Sequence, residues 1–215
     1  MTLPSDLAHI RREYESKPFN EADCHSSPLQ QFMRWFEEWQ VVKPIEPTAM
    51  VLSTVDMQGY PDSRVVLLKG LWQEQFLFYT HYSSTKGKQI AHESHVSLNF
   101  YWPDLSRQVR VLGVAKPLPT SISDEYFSSR PFASQCSAVV SPQSQEISSR
   151  DELELNLNAY MNSHQGESIV RPEHWGGYGV TPTKIEFWQG RVQRLHDRIQ
   201  YTKEGENWAI RRLAP

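Results

Sequence analysis

Apolar and polar positions repeat with two periods along this chain, and the change of period marks where helices give way to strands. Leu7, Ile10 and Tyr14 recur at helical spacing behind Ser5, a residue suited to cap a helix. Ser27, Pro28 and Gln30 form a stronger start signal, with proline at the first helical position and a capping-box pattern. Leu29, Phe32, Phe36 and Trp39 then form an apolar stripe that reads as core. Strands are predicted over 49–55, 63–68, 76–80, 96–102 and 108–115, which are rich in Val, Leu, Phe and Tyr and separated by turn residues. Asp56-Met57-Gln58-Gly59 is the hairpin turn joining the first two. A short helix opens at Ser83-Ser84-Thr85-Lys86-Gly87-Lys88, with a polar, basic N-terminus. Helical signals return over 123–129 and again after Arg130-Pro131. A second capping box, Ser149 with Glu152, precedes Leu153, Leu157, Tyr160 and Met161 at helical spacing. Strands over 178–180, 184–188, 194–201 and 208–210 close the chain, the last two flanking a turn at 203–207. Eight or nine short strands with inserted helices predict a barrel-like antiparallel sheet in an α+β domain.

Composition narrows the function classes. A chain of 215 residues fits one domain, 1–215, with a core that needs no staples. Net charge is −3 with no long basic or acidic block, which argues against nucleic acid as a partner. Cys24 and Cys136 form no CxxC pair, so neither a disulfide framework nor a cysteine zinc site is expected. No apolar run reaches the ~18 residues a membrane span needs. The first residues lack a basic stretch followed by an apolar one, so no signal peptide and a cytoplasmic location are expected. His92-Glu93-Ser94-His95 lacks HExxH spacing, and no catalytic metal is expected.

Four stretches could carry chemistry. On a strand, Arg194, His196 and Arg198 would share one face, with Leu195 and Ile199 on the other. That cationic face needs an anion, a carboxylate or water over it; a solvated outer face is the competing reading. Arg64 and Lys69 bracket an apolar tetrapeptide five positions apart. On a regular strand they point to opposite faces, so they serve different groups, the strand is bulged or twisted, or both are solvated strand ends. Tyr79-Thr80 runs into the hydroxyl-rich helix start at Ser84-Thr85-Lys86, a phosphate-binding arrangement or an ordinary solvated turn. Tyr126, Arg130 and Ser134, at four-residue steps, converge on a phosphate only if a helix, or one broken at Pro131, presents them together.

Read together, these pieces resemble the pyridoxamine (pyridoxine) 5′-phosphate oxidase family over nearly the whole chain. The matching stretches are RREY at 11–14, PTAM at 47–50, RVVLLK at 64–69, FYT at 78–80, RQV at 107–109 and YFSSRP at 126–131. SPQSQEISSR at 141–150, WGGY at 175–178, IEFWQG at 185–190, RLHDR at 194–198 and RLAP at 212–215 complete them. The resemblance implies a split-barrel flavin-binding fold and a homodimer with FMN at its interface. It implies oxidation of pyridoxamine 5′-phosphate or pyridoxine 5′-phosphate to pyridoxal 5′-phosphate, with dioxygen as acceptor and hydrogen peroxide released. FMN contacts would be Arg64, Val65, Val66, Leu67, Leu68, Lys69, Tyr79, Thr80, Thr85, Lys86, Gln108, Gln143, Ser144, Trp188 and Arg198. Substrate contacts would be Lys69, Tyr126, Arg130, Ser134, Arg194, Leu195 and His196, with Arg11, Arg12, Glu13 and Tyr14 as a flap within an N-terminal segment, 1–20. Arg194 and His196 would lie at the reacting carbon, and 175–215 would serve dimerisation and substrate binding.

One position departs from the family's pattern. Thr85 stands where the family usually has an arginine before the lysine. A lost charged hydrogen bond costs about 1.5–3 kcal/mol, so weaker FMN binding, a substitute cation such as Lys88, or sufficiency of Lys86 and Arg64 is expected. FMN and substrate together bring roughly −3 to −4 of charge, which explains why a slightly acidic chain would gather Arg64, Lys69, Lys86, Arg130, Arg194 and Arg198. Two other readings compete: a pyridoxal 5′-phosphate carrier without FMN, and a split-barrel flavoprotein with another substrate.

Overall fold

A computed structural model describes residues 13–14 and 16–215, so the helix expected behind Ser5 and the flap residues Arg11 and Arg12 lie outside the described residues. The elements are α1 (Pro28–Val41), β1 (Ala49–Val55), β2 (Pro61–Leu67), β3 (Gly70–Trp72), β4 (Gln75–His81), α2 (Thr85–His92), β5 (His95–Trp102) and β6 (Arg107–Pro117). They continue with α3 (Thr120–Ser129), α4 (Phe132–Val140), α5 (Arg150–Ser163), β7 (Trp175–Gln189), β8 (Asp197–Glu204) and β9 (Asn207–Leu213). The strands join in the order β2-β1-β5-β6-β7-β4-β3, with β8 on β7 and β9 on β8. The pairs β1–β2, β3–β4, β4–β7, β7–β8 and β8–β9 are antiparallel.

The chain folds as two compact units. One holds residues up to 47, 99–111 and 183–215; the other holds 48–98 and 112–182. In the first, the stripe on α1 buries Phe32, Trp35 and Trp39. Phe32 packs on Phe100 with ring centroids 4.9 Å apart, Trp39 stacks on Trp102 at 6.1 Å, and Trp35 meets Phe187 edge-on at 5.2 Å. Ser27 precedes this helix without capping it through its side chain, so the capping box there does not form; the first helical bond runs from Gln31 N–H to Ser27 O.

In the second unit, β1 alternates half-buried and buried positions, and its register places Ala49 opposite Leu67 and Val55 opposite Pro61. The turn between β1 and β2 is held by Asp56, whose Oδ1 accepts from the Gln58 and Tyr60 N–H groups at 2.9 and 2.8 Å. Ser84 caps α2 by accepting from Gly87 N–H. A Cβ on Gly87 would lie 2.2 Å from the Tyr82 carbonyl oxygen, so only glycine lets α2 sit this close to the end of β4. The expected Ser149 cap on α5 forms, with Glu152 N–H donating to its Oγ at 3.1 Å. Phe127, Cys136, Ala138, Ile169 and Trp175 form a core cluster against which Tyr79, Tyr126, Leu157, Tyr160 and Met161 pack. β7 runs unbroken where two strands were expected, and β3 was not anticipated.

Candidate active site

A cavity of about 460 Å³ opens in the second unit, lined by Arg64, Val65, Val66, Leu67, Lys69, Tyr79, Thr80, Lys86, Tyr126, Arg130, Gln143 and Trp175. Four of these carry positive charge and none is acidic. Arg64 and Lys69 both reach it, although strand alternation would separate them, because β2 ends at Leu67. Past that point Leu68 N–H donates to Thr48 O and Lys69 N–H to Leu77 O, while Gly70 takes φ +146°. The Leu68 side chain turns into the core and is not among the lining residues.

Lys86 is held by neutral acceptors, and Arg64 by neutral acceptors and one carboxylate. Lys86, in the first turn of α2, donates from Nζ to Thr80 Oγ1 at 3.3 Å and to Gln143 Oε1 at 3.4 Å. The same Gln143 oxygen accepts from Thr80 Oγ1 at 2.8 Å and from His81 N–H at 3.3 Å. Burial, and then the charge of Arg64, push the Lys86 pKa below its ordinary value. Arg64 donates to Thr54 Oγ1 at 2.5 Å, Gln89 Oε1 at 3.1 Å and Leu52 O at 3.3 Å, and pairs with Asp62. None of Thr54, Gln89 and Asp62 was singled out from sequence. Asp62 had a legible signal, since two residues apart on a strand means the same face as Arg64.

Part of the lining is aromatic. Tyr79 stacks on Tyr126 with centroids 3.8 Å apart and lies nearly parallel to Trp175 at 5.6 Å. Gly177 makes room for this stack, because a Cβ there would lie 2.7 Å from the Tyr79 ring. Arg130, just before the Pro131 break between α3 and α4, sits 4.7 Å over the Trp175 ring. Its Nη1 is buried with no hydrogen-bond partner among the described residues, and burial lowers its pKa. A buried unpaired guanidinium nitrogen is costly unless an acceptor arrives, so this donor set fits a phosphate monoester. Ser134, Ser144, Thr85 and Lys88 are not among the lining residues; Thr85 and Lys88 are exposed on α2.

The remaining candidates belong to the first unit. Trp188 and His196 rings are 4.7 Å apart, and Tyr14 packs edge-on against both at 5.8 and 5.6 Å. A Cβ on Gly190 would lie 2.8 Å from the Tyr14 ring, so glycine lets that ring in. His196 Nδ1 accepts from Arg191 N–H at 3.0 Å. Burial, then the nearby Arg194 charge, hold the imidazole below its ordinary pKa, with Asp197 opposing. The expected strand over 194–201 begins only at Asp197. Gln193 and Arg194 take φ +54° and +63° in a 3-10 turn, so Arg194, His196 and Arg198 do not share a strand face. Arg194 and Leu195 are exposed, Glu13 is exposed, and Gln108 is half-buried on β6. Arg198 donates to Glu186 Oε1 at 2.8 Å, and Arg110 pairs with the other carboxylate oxygen. A larger cavity of about 580 Å³ in this unit balances Lys17, Arg34 and Arg107 against Asp23, Glu38 and Asp104, with Arg107 paired to Glu38 at 2.5 Å. That balance does not suit a polyanion.

Comparison with known proteins matches residues 37–162 to the family model described as pyridoxamine 5′-phosphate oxidase, which is more than half of the chain. The chain belongs to the pyridoxamine 5′-phosphate oxidase family. Residues 175–215 match a second model, described as the pyridoxine 5′-phosphate oxidase C-terminal dimerisation region. A pyridoxine/pyridoxamine 5′-phosphate oxidase of Legionella pneumophila (strain Lens) is 54% identical over 97% of both chains. Its counterpart in Haemophilus influenzae is 46% identical over 98% of this chain and all of that one. Among solved structures, PhzG from Burkholderia lata 383, in complex with tetrahydrophenazine-1-carboxylic acid, aligns with TM-score 0.88 at 29% identity over 94% of this chain and 99% of that one. An FMN-binding protein of Nostoc punctiforme aligns with TM-score 0.73 at 14% identity over 89% of this chain and all of that one, a likeness of fold. The family's split-barrel α+β fold is therefore the fold of this chain. Among the described residues no helix is long and apolar enough to cross a membrane.

Proposed function

We propose that this family member is an FMN-dependent oxidase that converts pyridoxamine 5′-phosphate and pyridoxine 5′-phosphate into pyridoxal 5′-phosphate in the cytoplasm. Dioxygen is the acceptor and is reduced to hydrogen peroxide; the amine substrate also consumes water and releases ammonia. The observation that carries the reading is the cavity with four cations and, among the described residues, no lining carboxylate and no partner for a buried Arg130 nitrogen. It supplies the fixed charge that a phosphate needs.

Arg64, Thr80, Lys86 and Gln143 would hold the FMN phosphate, with the 65–69 stretch along the cofactor, and Gln108, Trp188 and Arg198 would complete its site at the interface of a homodimer. Bound FMN would supply the two-electron acceptor that dioxygen restores. Lys69, Tyr126 and Arg130 would take the substrate phosphate. His196, neutral and protonated on Nε2, would donate a hydrogen bond to the substrate, and Arg194 would orient the reacting group. Tyr14 would cover the substrate side of the Trp188–His196 pair. Thr85 adds no charge, so Lys86 and Arg64 carry the phosphate without a third cation from the start of α2.

Oxygen uptake with each substrate, with and without added FMN, tests the reading. Uptake that depends on FMN, with stoichiometric peroxide, is expected. A flavin-free protein that binds pyridoxal 5′-phosphate and consumes no oxygen would make it a carrier instead.

A further inference from the structure

Arg64 has more partners than its position needs. Thr54 and Gln89, both buried, and the Leu52 carbonyl hold its guanidinium by neutral hydrogen bonds. Gln89 is itself fixed, accepting from Thr54 Oγ1 at 2.6 Å. Asp62 then adds a carboxylate 2.5 Å from Arg64 Nη2, on the same face of β2, and accepts from Gln89 Nε2 at 3.1 Å. The Arg64 side chain is 18% exposed and that of Asp62 is 46% exposed, so the carboxylate sits on the solvent side of the pair. Its field also reaches Lys86 and works against the lowering of that group's pKa. Position is therefore secured without charge, and what Asp62 contributes is negative charge beside a cavity whose lining residues have none.

We propose that Asp62 is a built-in competitor for the cofactor phosphate, occupying Arg64 until the phosphate arrives and thereby setting the FMN affinity of this chain. The proposal rests on the reading that the Arg64–Lys86 cavity takes the FMN phosphate. The phosphate dianion is an acceptor for the same guanidinium and must share it with a like charge. No bond is made or broken; the carboxylate only weakens binding of an anion. Riboflavin has the same ring and ribityl chain but no phosphate, so Asp62 is indifferent to it.

The full-length protein, stripped of flavin, is titrated with FMN and with riboflavin, following flavin fluorescence. Wild type, Asp62→Asn, Asp62→Ser and Lys86→Met are compared. Asp62→Asn keeps an acceptor for Gln89 and Asp62→Ser removes the side-chain oxygen pair, so agreement between them isolates the charge. Both are expected to bind FMN roughly two- to five-fold more tightly, the range for a partly exposed ion pair, with riboflavin affinity unchanged. If wild type prefers FMN to riboflavin, Lys86→Met loses that preference, and both Asp62 variants match wild type, the competitor role is overturned and the phosphate site stands. If the Asp62 variants bind FMN more weakly, Asp62 positions Arg64 and the proposal is overturned. If all four proteins bind FMN and riboflavin alike, the cavity is not a phosphate site, and both readings fall.

Discussion

His196 Nδ1 accepts the backbone N–H of Arg191 at 3.0 Å, so the neutral ring carries its own proton on Nε2. The turn that supplies this N–H is the one in which Gln193 and Arg194 take positive φ. It brings the Arg191 backbone back onto the ring and leaves Nε2 as a donor. Protonating Nδ1 would break the bond, so geometry and burial both favour the neutral imidazole. A general-base role through Nδ1 is closed to this ring, and hydrogen-bond donation from Nε2 is what it can offer.

The His196 ring is expected to titrate below its ordinary value of 6.5, because burial and Arg194 both disfavour the cation. Arg194→Ala removes one of these causes and should move the midpoint upward. Side-chain proton resonances of His196, followed by NMR from pH ~5 to ~8 in both proteins, check this. A wild-type midpoint at or above 6.5 would sink the neutral-donor assignment. Stability follows the same sign. A histidine whose folded pKa is depressed binds fewer protons than in the unfolded chain, so its contribution falls as pH drops through 6.5 toward the folded pKa.

Arg194 and Arg198 should separate in function. Arg194 is exposed, whereas Arg198 is tied to Glu186. Arg194→Ala is expected to lower turnover of pyridoxine 5′-phosphate by at least about ten-fold, the scale of a lost charged hydrogen bond, while leaving FMN content near wild type. Arg198→Ala is expected to purify with little flavin. Normal turnover per bound flavin in Arg194→Ala, or a yellow Arg198→Ala protein at dilute concentration, would reverse the respective assignment.

Lys86 is expected to dominate phosphate affinity, since Thr80 and Gln143 already hold its ammonium in place. Lys86→Met should weaken FMN binding about ten- to a hundred-fold, the cost of a lost charged hydrogen bond, with little change for riboflavin. Equilibrium dialysis of both flavins measures it. An equal loss for both would mean that the substitution disturbs the cavity and not the phosphate contact.

Much of this architecture was legible because apolar periodicity reports burial. The 49–55 strand matches β1 because alternate residues there are buried. What pattern could not reach depended on backbone choices that side chains do not advertise. The stretch 194–198 has strand-like alternation, yet Gln193 and Arg194 adopt positive φ, a conformation that glycine or asparagine usually signals. Arg64 and Lys69 were five apart, and only the end of β2 at Leu67 brings both to one cavity. Pro182 interrupts the pattern of β7, but the backbone runs through it. The stack of Tyr79 on Tyr126 depends on β4 and α3 meeting, which a single sequence does not announce.

The last prediction concerns Glu186, buried on β7 between Arg198 and Arg110. Burial raises its pKa, but hydrogen bonds from Arg198 and Arg110 more than offset this, and the net value lies below 4.5. A carboxylate with a depressed folded pKa contributes stability above its unfolded pKa and loses it as pH falls through the folded one. Glu186→Gln removes that contribution and leaves two arginines without their shared partner. At pH 7 it should cost about 1–3 kcal/mol, or roughly 2–12 °C in Tm for a chain of this size. As pH falls below 4.5 toward the lower folded value, the gap between wild type and variant should narrow, because the unfolded wild-type chain then binds a proton that the folded one does not. Thermal unfolding of both proteins across pH 3–8 tests this sign. A gap that stays constant or widens in acid would mean that packing of the side chain, and not its charge, is what the two arginines depend on.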